Sequence, residues 1–235
     1  MLHPKAITFD VGGTLDGPGI PWRPRFIALY RAAGLDVPED ALSRAFHDAD
    51  DHLHERHSLA GLDLAGTVGL QVADTLANLG RRDAGLARQV TEGFVREARA
   101  CFLAARPVLE RLAQAMPLGI VSNSYGNLRD VLRREGLLDL FRTVIDSREV
   151  GFDKPDRRIF LAATDELGVA PGSVAHVGDS IERDALGARA AGLVPVWYAP
   201  RASGRNDAAQ DARAAGAHRI GSLDELLSLA PVSAS

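Results

Sequence analysis

The run Val174-Ala175-His176-Val177-Gly178-Asp179-Ser180 continues into Ile181-Glu182-Arg183-Asp184-Ala185-Leu186-Gly187-Ala188-Arg189-Ala190-Ala191-Gly192. Val174 to Val177 is a short, mostly apolar block with the length of a buried strand, and Ile181 to Ala191 then spaces its apolar residues three and four apart, as a helix does. The small residues Gly187, Ala188, Ala190, Ala191 and Gly192 let that helix lie close on a sheet. The same strand-then-helix unit recurs on either side. Leu118 to Val121 precedes the helical pattern Leu128 to Gly136, and Thr143 to Ile145 precedes Asp156 to Leu167. Leu109 to Met116 is a further helical pattern, and Ala6 to Phe9 and Val194 to Tyr198 read as strands. Such alternation predicts a doubly wound α/β fold, a parallel sheet with helices on both faces. Right-handed crossovers bring the carboxyl ends of those strands to one edge, where open α/β sheets bind ligands.

Between Asp16 and about Arg99 the alternation stops. Four helical patterns follow one another there, Pro24–Ala33, Glu39–His57, Leu64–Leu79 and Ala84–Ala100. Turn signals part them at Gly34 with Pro38, at Gly61 and at Gly80-Arg81-Arg82-Asp83. Residues 17–100 are therefore expected to form an all-helical cap domain inserted into a core of residues 1–16 and 101–235, with two linkers side by side at the sheet edge. Ala202 to Ala217 is expected to be a loop or short helix, and Pro231 to Ser235 a frayed tail.

A chain of 235 residues with 46% hydrophobic and 25% charged side chains can bury a core without staples, and the disordered, collagen-like and membrane-spanning classes drop out. Its single cysteine, Cys101, rules out a disulfide within the chain and fits a reducing compartment. Met1 to Asp10 lacks the basic lead and long apolar segment of a signal peptide, so a cytoplasmic location is expected. A formal charge of -4 leaves no electrostatic footprint for a nucleic-acid backbone, and neither nucleic acid nor membrane is expected as a partner.

Four of the predicted strand ends carry polar residues that an apolar strand has no packing reason to present. Phe9-Asp10-Val11-Gly12-Gly13-Thr14-Leu15 puts a carboxylate at a strand tip, then glycines that let the backbone turn sharply and approach a ligand; a turn or helix-cap aspartate is the plainer alternative. Ile120-Val121-Ser122-Asn123 offers a hydroxyl and an amide, types that also begin turns and cap helices. In Asp153-Lys154-Pro155-Asp156 the lysine stands out, because of 27 basic residues only Lys5 and Lys154 are lysines. A lysine where arginine is the habit points to a need for a compact ammonium. The fourth is Gly178-Asp179-Ser180 with Asp184. Acids gathered along one edge repel one another unless a cation sits among them; a hard divalent ion does that, and Lys154 does part of it.

These four pieces, in this order and each at a strand end, resemble the motifs of the haloacid dehalogenase-like superfamily over nearly the whole chain. Asp10 with Gly13-Thr14-Leu15 is similar to the first motif, Ser122 to the second, Lys154-Pro155-Asp156 to the third, and Gly178-Asp179 with Asp184 to the fourth. The helical insert is similar to the type-one cap. The resemblance implies a Rossmann-like core and a Mg²⁺-dependent phosphohydrolase acting on a small phosphorylated metabolite. It also implies Asp10 as the nucleophile that forms an aspartyl-phosphate. Asp10 and Asp179 would hold Mg²⁺ by their side chains and Gly12 by its backbone carbonyl, with Asp184 acting from behind them. Ser122, Asn123, Gly13 and Lys154 would bind the phosphoryl oxygens, Lys154 sharing in catalysis.

Gly12 departs from the family pattern. Phosphatases of the superfamily carry a second aspartate there, which protonates the leaving group and later activates water; glycine keeps only the carbonyl. General acid–base help is worth about 10²–10⁴-fold, so alkyl phosphates are expected to suffer more than aryl or acyl phosphates. Asp16, at the cap hinge, is open to either a hinge role or a substitute proton role. The run from His47 through His52 and His54 to His57 is open to a solvated helix face or to a cap acid. Trp22, Arg23 and Arg25 are the other cap residues expected to govern substrate choice. Dehalogenation is disfavoured, because position 12 is not aromatic and Gly178-Asp179 is kept. Phosphonate cleavage needs a cap lysine, and none lies between Lys5 and Lys154. The competing class is a catalytically impaired protein whose site binds a phosphoryl ligand or a partner.

Overall fold

The structure is a computed structural model that describes residues 3–200 and 216–229, so the expectations for 202–217 fall almost wholly, and that for 231–235 wholly, outside the described residues. Strands β1 (Ala6–Phe9), β2 (Leu118–Ser122), β3 (Thr143–Asp146), β4 (Val174–Gly178), β5 (Val194–Tyr198) and β6 (His218–Ile220) form one sheet in the order β3-β2-β1-β4-β5-β6. Every neighbouring pair is parallel. All residues of β1 to β4 are buried, which is why these strands read as continuous blocks rather than alternating ones: both faces of a parallel sheet are covered. Strand β6 went unrecognised in the sequence, being three residues long with two of them exposed. The winding reverses between β1 and β4, so the crevice of a doubly wound sheet lies at the carboxyl ends of these two strands.

Helices α1 (Trp22–Ala32), α2 (Glu39–Arg56), α3 (Leu64–Asn78) and the first part of α4 (Ala84–Ala115) make the helical layer above that edge. Asp63 and Asp83 cap α3 and α4, accepting from Gly66 N and Leu86 N at 2.9 Å each. The expected patterns Ala84–Ala100 and Leu109–Met116 are one helix of 32 residues. Phe102, Ala105, Leu109 and Leu112 carry a buried stripe through the junction, and Pro107 lies on the exposed face, where water can meet the carbonyl that its missing N–H frees. A single apolar cluster runs from Phe26, Phe46 and Val68 of the helical layer through Phe102 and Leu109 to Ile7 and Phe9 of the sheet. Among the described residues no helix is long and apolar enough to cross a membrane.

The expected helix from Ile181 to Ala191 starts as a wide π-turn, Ile181–Leu186, before the short helix Gly187–Ala190. Ser180 causes it: its carbonyl accepts from both Asp184 N and Ala185 N, at 3.0 and 3.1 Å, and its hydroxyl accepts from Arg183 N at 3.1 Å. The wide turn carries Asp184 inward, where it is buried, beneath the end of β4.

Candidate active site

Asp10 follows β1, and its N–H donates to Val177 O of β4 at 2.9 Å, so the tip of β1 is tied to its neighbour. The next turn closes on Val11 O, which accepts from Thr14, Leu15 and Asp16 N–H groups. Gly13 is required twice there, by its φ of +88° and because a Cβ would come within 3.0 Å of the Asp179 carboxylate. Gly178 is equally constrained: a Cβ would meet Asp184 Cγ at 2.2 Å, so the aspartate packs directly on the strand backbone.

Around Asp10 the strand ends converge. Ser122 Oγ donates to Asp10 Oδ1 at 2.8 Å, and Lys154 Nζ lies 2.7 Å from that same oxygen. Lys154 Nζ also donates to Asp184 Oδ1 at 2.7 Å, while Asp184 Oδ2 accepts from Ser180 N at 2.9 Å. His176 Nε2 approaches Asp184 Oδ1 at 3.3 Å and its Nδ1 lies 3.0 Å from Thr8 Oγ1. A buried polar chain therefore runs from Thr8 through His176, Asp184 and Lys154 to Asp10. Burial pulls the His176 imidazole down and keeps it neutral, so Nε2–H donates to Asp184 and Nδ1 accepts from Thr8. Against its own burial, the Asp184 carboxyl is held well below the usual range by Lys154 and His176. Lys154 is pushed up, its desolvation outweighed by Asp10 and Asp184 together.

Carboxylate oxygens of Asp10, Asp179 and Asp184 lie within 4.8 Å of one another, and all three residues are buried. Lys154 pairs with two of them, Asp10 and Asp184. An all-oxygen donor set of this kind fits a hard divalent cation.

The structure places other expected residues differently. The Asn123 side chain is occupied by the backbone of Lys154: Oδ1 accepts from Lys154 N at 2.7 Å and Nδ2 donates to Lys154 O at 3.2 Å. It therefore holds the lysine in place, and only its backbone is left for a phosphoryl group. The Gly13 amide is likewise taken, donating to Asp16 Oδ1 at 2.6 Å. Asp16 also accepts from Arg25 Nη1 at 3.1 Å and from Trp22 Nε1 at 2.6 Å. Burial pushes its carboxyl up against these donors, yet both oxygens are engaged, which makes Asp16 an anchor rather than a proton donor to substrate. Trp22, held by Asp16, lies over Gly12: a Cβ there would meet indole Nε1 and Cδ1 at 3.4 and 3.5 Å.

Asp10, Ser122, Lys154 and Trp22 border a cavity of about 130 Å³. Arg23 and Arg25 are not part of its wall; Arg23 donates to Ser43 Oγ, and Arg25 is buried against Phe94. None of His47, His52, His54 or His57 borders it either, and His57 is paired with Asp74 at 2.9 Å. Asp50, Tyr125 and Arg183 do border it. No motif singles out these three, beyond the position of Asp50 within the histidine-rich run.

A model of the haloacid dehalogenase-like hydrolases matches residues 4–192. A phosphoserine phosphatase of Thermus thermophilus is 32% identical over 232 residues, covering 94% of this chain and 90% of its own. A glyceraldehyde 3-phosphate phosphatase of Methanothermobacter thermautotrophicus is 39% identical over 209 residues, covering 82% and 84%. Among solved structures, a phosphatase of the same superfamily from Thermococcus onnurineus superposes with a TM-score of 0.55 at 27% identity, over 96% of this chain and 97% of that one. The family model and relatives matched over most of their length place the chain among the haloacid dehalogenase-like hydrolases, with phosphatases among its relatives.

Proposed function

We propose that the protein hydrolyses the phosphate ester of a small metabolite, with Asp10 as nucleophile and Mg²⁺ as cofactor. The observation that carries this reading is the meeting of Asp10, Ser122, Lys154, Asp179 and Asp184 in one buried cluster beside a cavity; Lys154 comes from the loop after the short helix that follows β3, not from a strand end. Asp10 attacks phosphorus and forms an aspartyl-phosphate, which water then cleaves. Ser122 and Lys154, each one hydrogen bond from the nucleophile, neutralise the phosphoryl oxygens as the group transfers. Asp10, Asp179 and the Gly12 carbonyl, with Asp184 behind them, would hold Mg²⁺, which when bound offsets charge on the phosphoryl group. The cavity, about 130 Å³, is close to the roughly 150 Å³ void that admits one benzene, so the part of the substrate beside the nucleophile is small. The names of two relatives, phosphoserine phosphatase and glyceraldehyde 3-phosphate phosphatase, point to substrates of that size.

Two measurements test this reading. A phosphate-release screen over small phosphorylated metabolites with Mg²⁺ should find turnover. Vanadate with Mg²⁺ should raise the melting temperature; a ligand at 100 Kd adds about 2.7 kcal/mol, roughly 5–10 °C for a chain of this size. Stabilisation without turnover would favour a phosphoryl-binding module, and neither effect would remove the reading altogether.

Position 12 supplies a further expected outcome. A Cβ there makes ordinary contact with the Trp22 indole, but a carboxyl beyond it competes with that ring for space. Gly12→Asp alone will therefore not accelerate cleavage of alkyl phosphates, because the added carboxyl cannot take up the position of an acid beside the nucleophile. Steady-state kcat/KM on a glycerol phosphate measures it.

A further inference from the structure

The cavity beside Asp10 has a wall that the strand ends do not supply. Asp50 on α2 and Tyr125 in the loop after β2 meet there across the interface between the helical layer and the sheet, and the Tyr125 hydroxyl donates a hydrogen bond to Asp50 Oδ1. We propose that Asp50, positioned by Tyr125, is the proton-transfer group that replaces the carboxylate missing at Gly12. The inference rests on the phosphohydrolase reading above.

Three observations converge on it. First, the side-chain space at Gly12 is filled by Trp22, and the Trp22 ring lies 6.2 Å, centroid to centroid, from that of Tyr125. The Asp50–Tyr125 pair thus borders the place where the family's acid would stand. Second, the rival groups are spent: both oxygens of Asp16 are bonded, and the four histidines of α2 and its end do not reach the cavity. Third, Asp50 Oδ1 takes the phenol and leaves Oδ2 to carry a proton. Burial pushes the Asp50 carboxyl up and Asp51 adds to this, while Tyr125, His47 and Arg183 oppose it. A carboxylic acid kept protonated closer to neutrality is what a leaving alkoxide needs. Tyr125, itself pushed well above its ordinary value by burial and by the charge of Asp50, donates a hydrogen bond and does not give up its proton.

In the first step an Asp10 oxygen bonds to phosphorus as the ester P–O bond breaks; the leaving oxygen keeps the electron pair and takes the proton from Asp50. In the second, the Asp50 carboxylate takes a proton from water as the water oxygen bonds to phosphorus and the Asp10–phosphorus bond breaks. Phosphate leaves, with Asp10 ionised and Asp50 protonated again.

The test compares p-nitrophenyl phosphate, whose phenolate leaves without protonation, with a glycerol phosphate, whose alkoxide does not. In Asp50→Asn, kcat/KM for the alkyl ester should fall about 10²–10⁴-fold, and for the aryl ester less than tenfold. A burst of p-nitrophenol should precede slow turnover, because the aspartyl-phosphate has lost its base. Tyr125→Phe removes the bond that lowers the Asp50 carboxyl, so the basic limb of the alkyl kcat/KM profile should move to higher pH. Equal losses on both esters, or no loss on either, would overturn the proposal and leave the hydrolase reading standing. That reading is secured separately by wild-type aryl turnover that Asp10→Asn abolishes; if the wild type turns over neither ester, both fall together.

Discussion

Asp10→Asn will abolish phosphate release, with a drop in kcat on the order of 10⁶-fold, the scale on which loss of a covalent nucleophile is felt. Asparagine has the shape of the aspartate and its Oδ1 can still accept from Ser122, so the strand end keeps its form. Charge decides the rest. The buried carboxylates of Asp10, Asp179 and Asp184 lie close together, and neutralising one reduces their mutual repulsion. In the absence of Mg²⁺ the melting temperature of the variant should therefore not fall. Rapid-quench phosphate assays and a thermal melt measure the two halves, and a folded variant that still turns over at the wild-type rate would place the chemistry elsewhere.

Lys154→Met should be the most destabilising change at the site. Methionine roughly keeps the volume and removes the charge, so the buried carboxylates of Asp10 and Asp184 both lose the ammonium that pairs them. Removing one partner of a buried pair costs about 3–5 kcal/mol, which for a chain of this length lowers the melting temperature by roughly 6–20 °C. The pH dependence has a definite sign. In the wild type the depressed Asp184 carboxyl stabilises the fold above its unfolded value near 3.9, and that contribution is lost as pH falls through the lower folded value. The variant lacks it, so the gap between the two should be widest near neutrality and close below about pH 4. Urea unfolding across pH measures this; a gap that does not change with pH would mean that the loss is one of packing. Lys154→Arg keeps the charge but replaces a point donor with a planar fork, and it should not restore activity, because a single Nζ makes both 2.7 Å contacts.

The sheet and the cluster were legible in the sequence because each rests on local signals. Carboxylates and a hydroxyl at the ends of apolar blocks show where strands stop, and a parallel sheet puts those stops on one edge; the scarce lysine stood out by type, but it lies in a loop beyond the helix that follows β3. Other features depend on packing that a linear reading lacks. Nothing near Asn123 shows that its amide clamps the backbone of Lys154, 31 residues away. Asp50 lies among solvated acids and histidines, and only the docking of α2 against the loop after β2 turns it toward Tyr125. The absent carboxylate at Gly12 could be read directly; the indole filling its space could not, since it depends on the bond from Trp22 to Asp16. The continuity of α4 was hidden by Pro107, whose exposed position decides that the helix passes through.

That continuity binds two layers into one mechanical body. Helix α4, 32 residues and roughly 48 Å long at 1.5 Å per residue, spans both as an uninterrupted strut, and the apolar cluster it threads has no seam between them. Neither layer can then melt first and leave the other intact, and calorimetry should record one cooperative endotherm rather than two.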